Sequence, residues 1–219
     1  MAGPTGISLK GYSTFLSEYL GLTPLAVYER QRALVRLGLL PEAGRGPNSG
    51  VRATPVTTTP LLVTALVTDN LSEVDERVKR LLNAKPSETE RRLERYREDT
   101  ANADSAERQW KALGRAVPVK RPLRPDSVQC SITGASTFKA AISSVLGSRE
   151  LASQVREITV NRTELTGTIL ATDERVSEFG KPKLSRRPVL NVWSRLPGEV
   201  VLRIASDLAA LSEITERTS

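Results

Sequence analysis

The stretch LGLTPLAVYERQRALVRLGLLP, Leu20 to Pro41, decides the fold, because it holds a helix stop, a helix start and a second stop in succession. Gly21 ends a short helix formed by STFLSEYL, Ser13 to Leu20, with Ser13 at the cap and Phe15, Leu16, Tyr19 and Leu20 on one side. Thr23 is a good cap for the next helix, and Pro24 suits its first turn, where a missing N–H costs nothing. Val27, Leu34 and Leu37 fall near one face of that helix, Arg30, Arg32 and Arg36 lie mostly elsewhere on its surface, and Gly38 supplies the stop. Beyond Leu39 and Leu40, GRGPNSGVRATP (Gly44 to Pro55) is turn chemistry, with Val51 to Thr54 as the returning strand of a hairpin.

Leu20, Gly21, Leu22 and Thr23, then Val27, Arg30, Leu34, Gly38, Leu39 and Leu40, stand at intervals that resemble the winged helix-turn-helix of bacterial regulators of the MarR, ArsR and Lrp types. VRATP, Val51 to Pro55, is similar to the segment that closes the wing in those proteins. The resemblance covers residues 13–56 and implies a sequence-specific, double-stranded DNA-binding transcription regulator of bacterial, phage or mobile-element origin. It departs from the pattern at Gln31, where an aliphatic residue is preferred, and at Tyr28, which replaces a small residue on the side facing DNA.

The physics of the groove gives that resemblance a mechanism. A major groove about 12 Å wide admits one α-helix, and residues near the helix's N-terminus reach the base edges. This points to Thr23, Leu25, Tyr28, Glu29 and Arg32, with Arg30 and Arg36 completing the cationic flank. Arg32 reads guanine through two donors, Thr23 and the first N–H groups grip phosphate, and Arg45 and Arg52 reach the adjacent backbone or minor groove from the hairpin. Lys120, Arg121 and Arg124, with Arg115, and separately Lys181, Lys183, Arg186 and Arg187, offer further phosphate contacts; for each cluster a solvated loop is the equal alternative.

Composition narrows the function classes. The chain of 219 residues carries a formal charge of +7 and a pI near 9.8, which favours an anionic partner. Cys130 is the single cysteine and histidine is absent, which excludes disulfide frameworks, zinc fingers and histidine-based triads. No Walker loop or GxGxxG is present, so no cofactor, no metal site and no enzyme activity are expected, and Asp173, Glu174 and Glu178 read as capping or solvated carboxylates. Low aromatic content argues against reading single strands by stacking, and Trp110 and Trp193 read as packing residues. The start lacks a signal-peptide core and the longest oily run, Leu61 to Val67, is too short to span a bilayer, so a cytoplasmic location, no membrane partner and a reduced thiol are expected.

The fold expected is α+β. Residues 1–70 form the DNA-binding winged helix, with a third helix over Thr57 to Thr68. Residues 71–116 form a charged connector, helical or flexible, and residues 117–219 an α+β unit for oligomerisation, effector or partner contact. Ser72 to Ala84 reads as an amphipathic helix with Val74, Val78, Leu81 and Leu82 as its stripe, and GRAVPVKRPLRP (Gly114 to Pro125) as an extended boundary. Further on come a strand over Ser127 to Ile132, a helix over Thr137 to Leu146, a hairpin over Arg156 to Thr172, a strand over Pro188 to Ser194 and a helix from Pro197 to about Ile214. A homodimer on a two-fold site is expected, joined through the Ser72 to Ala84 stripe or the C-terminal unit. The alternatives are a DNA-marking adaptor of the phage small-terminase kind, and a winged helix used for protein contact.

Overall fold

Ser8, not Ser13, opens the first helix. In the computed structural model, which describes residues 7–44, 50–69, 74–113, 128–181 and 191–217, α1 (Leu9–Leu20) is capped by the Ser8 hydroxyl, which accepts from Gly11 N at 3.1 Å. The apolar spacing explains the earlier start. Leu9, Tyr12 and Leu16 recur at i, i+3 and i+7 and are buried, whereas Phe15 is 47% exposed. Ser13 lies inside the helix, and its hydroxyl donates to the Lys10 carbonyl. Gly21 ends α1 at φ 63°, and Leu22 N reaches back to Ser17 O at 2.9 Å. α2 (Pro24–Arg36) begins on Thr23, whose hydroxyl accepts from Ala26 N. It ends with the same motif, Gly38 at φ 67° and Leu39 N bonded to Leu34 O.

The segment expected as a returning strand pairs with the residues ahead of α1. Leu9 N donates to Val51 O at 2.6 Å and Ala53 N to Ile7 O at 3.1 Å, which makes a single antiparallel bridge between Ser8 and Arg52. The turn of the expected hairpin, residues 45–49, lies outside the described residues.

α3 (Pro55–Val67) is the central helix, capped reciprocally by Thr54 and Thr57. Every residue from Thr58 to Val67 is buried. A threonine-rich helix tolerates this because Thr59 and Thr64 donate to the carbonyls four residues back, at 2.7 Å each. α4 (Val74–Leu82) buries Val78, Leu81 and Leu82 in the same core. These three residues of the stripe expected to join two copies are thus spent within one chain, while the Val74 side chain and Ser72 are not among those described. The charged segment that follows is helical: α5 (Ser87–Ala112) is tied at its start by Ser87, whose hydroxyl donates to Gly180 O at 2.9 Å, and by a bridge between Pro86 and Phe179.

Residues 114–127, with the extended proline-rich boundary, are not among those described. The strand expected up to Ile132 is a turn in its described part. Cys130 N bonds to Ala135 O and Gly134 N to Cys130 O, so buried Cys130 and Ile132 alternate without a partner strand. α6 (Phe138–Gly147) starts on Thr137 as expected, and α7 (Arg149–Gln154) starts on Ser148. β1 (Val155–Asn161) and β2 (Thr166–Ala171) form the expected hairpin, in whose turn Asn161 Oδ1 accepts from Thr163 N and Glu164 N. β3 (Val176–Phe179) was not anticipated. β4 (Trp193–Pro197) ends later than expected and leads directly into α8 (Gly198–Arg217).

The sheet is antiparallel throughout, in the order β3-β2-β1-β4. Ile158, Val160, Ile169 and Leu196 share its inner face, against which α3, α7 and α8 pack, and Phe138 of α6 lies under Gly167. Glu157, Thr159, Leu170, Val176 and Arg195 alternate onto the other face and are half-buried or exposed. The class is α+β. One continuous core runs from α1 to α4 into α6, α7, α8 and the sheet, so the stretches 1–70, 71–116 and 117–219 share an interior.

Candidate nucleic-acid interface

Successive residues on a helix rotate by about 100°, which sets Leu25, Glu29, Arg32 and Arg36 on one narrow arc of α2 and Val27, Arg30 and Leu34 opposite. The structure follows this arithmetic. Thr23, Leu25, Arg32 and Arg36 are exposed, Leu25 by 68%, and Tyr28 and Glu29 are half-buried on the flanks.

Arg30 departs from the expected cationic flank. It is buried, its Nη1 donates to Ala26 O at 3.1 Å and its Nη2 to Thr68 O at 3.2 Å. Burial pushes its pKa down, Asp69 opposes that shift and Arg162 adds to it. A guanidinium held this way serves the interior, because its two terminal nitrogens are engaged by the Ala26 and Thr68 carbonyls.

On the outer side, α2 forms one wall of a cleft of about 410 Å³ whose other walls are Ser8 and Lys10 at the start of α1, and Pro41, Ala43, Gly50 and Val51 at the two described ends of the glycine-rich stretch. Tyr28, Gln31, Arg32 and Arg36 line it from the helix. Lys10 Nζ lies 5.6 Å from the centre of the Tyr28 ring, which holds the ammonium beside the two arginines. Arg32 pairs with Glu29 at 3.4 Å across open surface. Such exposed pairs contribute about 0–1 kcal/mol, so the guanidinium exchanges partners at little cost. Gln31 is half-buried, and its Oε1 is buried without a hydrogen-bond partner among the described residues.

Sequence reasoning missed Lys10 for a local reason. Starting α1 at Ser13 left Lys10 outside the helix, whereas the true cap at Ser8 sets it in the first turn, facing α2. The departure at Gln31 was the other available signal, since a polar residue at a position that prefers an aliphatic one marks the cleft wall.

The remaining candidates fall elsewhere. Arg52 is exposed beside Ser8, and its carbonyl accepts from the Thr57 hydroxyl at 2.6 Å. Arg45, Lys120, Arg121 and Arg124 lie outside the described residues, as do Arg115, Lys183, Arg186 and Arg187, while Lys181 is exposed. Asp173 accepts from Arg175 Nε at 2.7 Å, and that bond holds its carboxyl below the usual range. Among the described residues no group of three or more acidic or cysteine side chains is placed to hold a metal ion. Trp193 is 57% exposed at the start of β4, which corrects its reading as a packing residue, and Trp110 is half-buried on α5. No helix among the described residues is long and apolar enough to cross a membrane.

The arrangement gathers positive charge around one cleft. Three cations border one cleft, an apolar tip stands at the N-terminal end of α2, and the exposed Thr23 hydroxyl accepts from Ala26 N while keeping its own proton to donate. No family model, curated protein or solved structure matches the chain.

Proposed function

We propose that the chain is a sequence-specific duplex-DNA-binding regulator of bacterial or phage type, in which α1 and α2 act as a helix-turn-helix, the glycine-rich stretch acts as the wing, and α2 enters the major groove. One observation carries this reading: Arg32 and Arg36 on the open arc of α2, together with Lys10, border a cleft whose opposite wall is the two ends of the glycine-rich stretch. A sugar-phosphate strand laid along that cleft meets cations from both helices, which is the sequence-independent part of affinity. Leu25, exposed at the start of α2, suits a thymine methyl, and Arg32 suits guanine O6 and N7.

The net charge of +7 supports the same partner. Arg30 is withdrawn from the contact set, and Lys10 joins it. Selection of bound sequences from random duplex DNA tests the reading: the wild-type chain enriches a motif, and Arg32→Ala loses base preference at one position of it. Enrichment of the same motif with equal strength by Arg32→Ala overturns the assignment of α2.

A further inference from the structure

α5 is the one long helix whose surface the described fold leaves over. No described helix or strand packs along it, and from residue 95 to 113 none of its described side chains is buried. Yet it is not polar all round. Tyr96, Ala103, Ala106, Trp110 and Leu113 recur at i, i+7, i+10, i+14 and i+17, the spacing of a helix–helix seam. The first four are half-buried, and Leu113 just beyond the helix is 69% exposed. Exposed residues such as Ala101, Asp104 and Arg108 fall on the opposite arc.

The geometry points to α5 as a self-association surface, in which two copies of this chain pair their α5 helices antiparallel about Ala103. Charge selects a second copy over other occupants. A chain of +7 repels its own kind over most of its surface, but α5 carries seven acidic and six basic residues, interleaved along its length. Two α5 helices therefore meet without net repulsion, and neither a strongly acidic nor a strongly basic partner is favoured there. The antiparallel sense follows from the pairs it makes. Centring on Ala103 sets Tyr96 of one copy against Trp110 of the other, a large ring on a large ring flanking small alanines.

The area sets the strength. α5 ends at Ala112, so an antiparallel pair centred on Ala103 overlaps over residues 94–112, about 28 Å at 1.5 Å per residue, and buries less than about 1,000 Å², the range of a weak, transient contact. The dimer is accordingly weak, with a dissociation constant of micromolar order.

Sedimentation equilibrium of the full chain without DNA, over low to high micromolar concentration, tests this. The wild-type chain shows a reversible monomer–dimer equilibrium, and Trp110→Glu raises the dissociation constant by at least about tenfold with unchanged helical circular dichroism. In a Cys130→Ser background, Ala103→Cys forms a disulfide-linked dimer on mild oxidation. Ala101→Cys, on the opposite arc, and Tyr96→Cys, displaced from its own copy in an antiparallel pair, do not. A wild-type chain that stays monomeric, a dimer indifferent to Trp110→Glu, or cross-linking through Tyr96→Cys in place of Ala103→Cys overturns the inference. Because no DNA is present, such a failure leaves the duplex-binding reading standing, and failure of that reading leaves α5 pairing untouched.

Discussion

Arg30 and Arg162 serve the same helix end: Arg30 of α2 donates to Thr68 O at 3.2 Å, and Arg162 of the β1–β2 turn donates to Leu66 O at 2.9 Å, both just where α3 stops. Asp69 binds Arg162 at 2.5 Å, and Arg77 of α4 donates to the Arg162 carbonyl. The last carbonyls of a helix lack intrahelical partners, and here two distant arginines supply them. The outer helix of the proposed interface is thereby fixed to the sheet through the end of α3.

Removing Arg30 should therefore cost stability and not contact with DNA. Arg30→Ala deletes two hydrogen bonds and the packing of a buried side chain, a loss of about 2–4 kcal/mol. Urea unfolding measures it, and a loss below about 0.5 kcal/mol, the level of an ordinary surface change, would contradict the placement. The folded fraction of the variant should bind duplex DNA as the wild type does.

Tyr12 and Tyr19 both donate to Asp207 Oδ2, at 3.4 and 2.9 Å, and so pin α1 to α8. Burial first, and then the Asp207 charge, raises the Tyr12 phenol above its ordinary value; burial and the Asp207 hydrogen bond raise Tyr19. The folded state thus keeps protons that the unfolded chain releases near pH 10. The stabilisation is complete below that pH and falls as pH rises further, at about 1.4 kcal/mol per pH unit for each proton retained. Tyr12→Phe should flatten the alkaline limb of a stability-versus-pH curve while changing neutral-pH stability by about 1 kcal/mol or less. An alkaline limb of the same slope in Tyr12→Phe would refute this.

Two glycines separate backbone cost from steric cost. Gly21 sits at φ 63° with nothing within 4 Å of an added Cβ, so Gly21→Ala should cost only the left-handed conformation, about 1–2 kcal/mol. At Gly198, the first residue of α8, an added Cβ would lie 2.0 Å from Val155 O, so the sheet and the helix must part to admit it. Gly198→Ala should lower the thermal midpoint far more than Gly21→Ala, and equal effects would count against the packing described.

Features set by neighbouring residues were readable from the chain. Thr23 with Pro24, Gly21 and Gly38 mark helix ends because the cap and the left-handed stop need only a few adjacent atoms. The β1–β2 hairpin was equally legible, since Asn161 makes its own turn. Arg30 was not, because a buried arginine is acceptable only where a remote carbonyl waits, and Thr68 is distant in sequence. The alternation around Cys130 misled for the same kind of reason: inward-facing residues alternate in a turn as well as in a strand, and only a partner distinguishes them. β3 is four residues long, with Val176 and Glu178 facing outward, and gives too short a pattern to register before its pairing with β2 is known.

Salt dependence of duplex binding tests the central claim most directly. If Lys10 and Arg36 neutralise phosphates from the two sides of the α2 cleft, log affinity for duplex DNA falls linearly with log salt, and Lys10→Ala/Arg36→Ala reduces the slope by roughly 2. An unchanged slope in the doubly substituted, normally folded protein, or no salt-dependent duplex binding by the wild type, would contradict it.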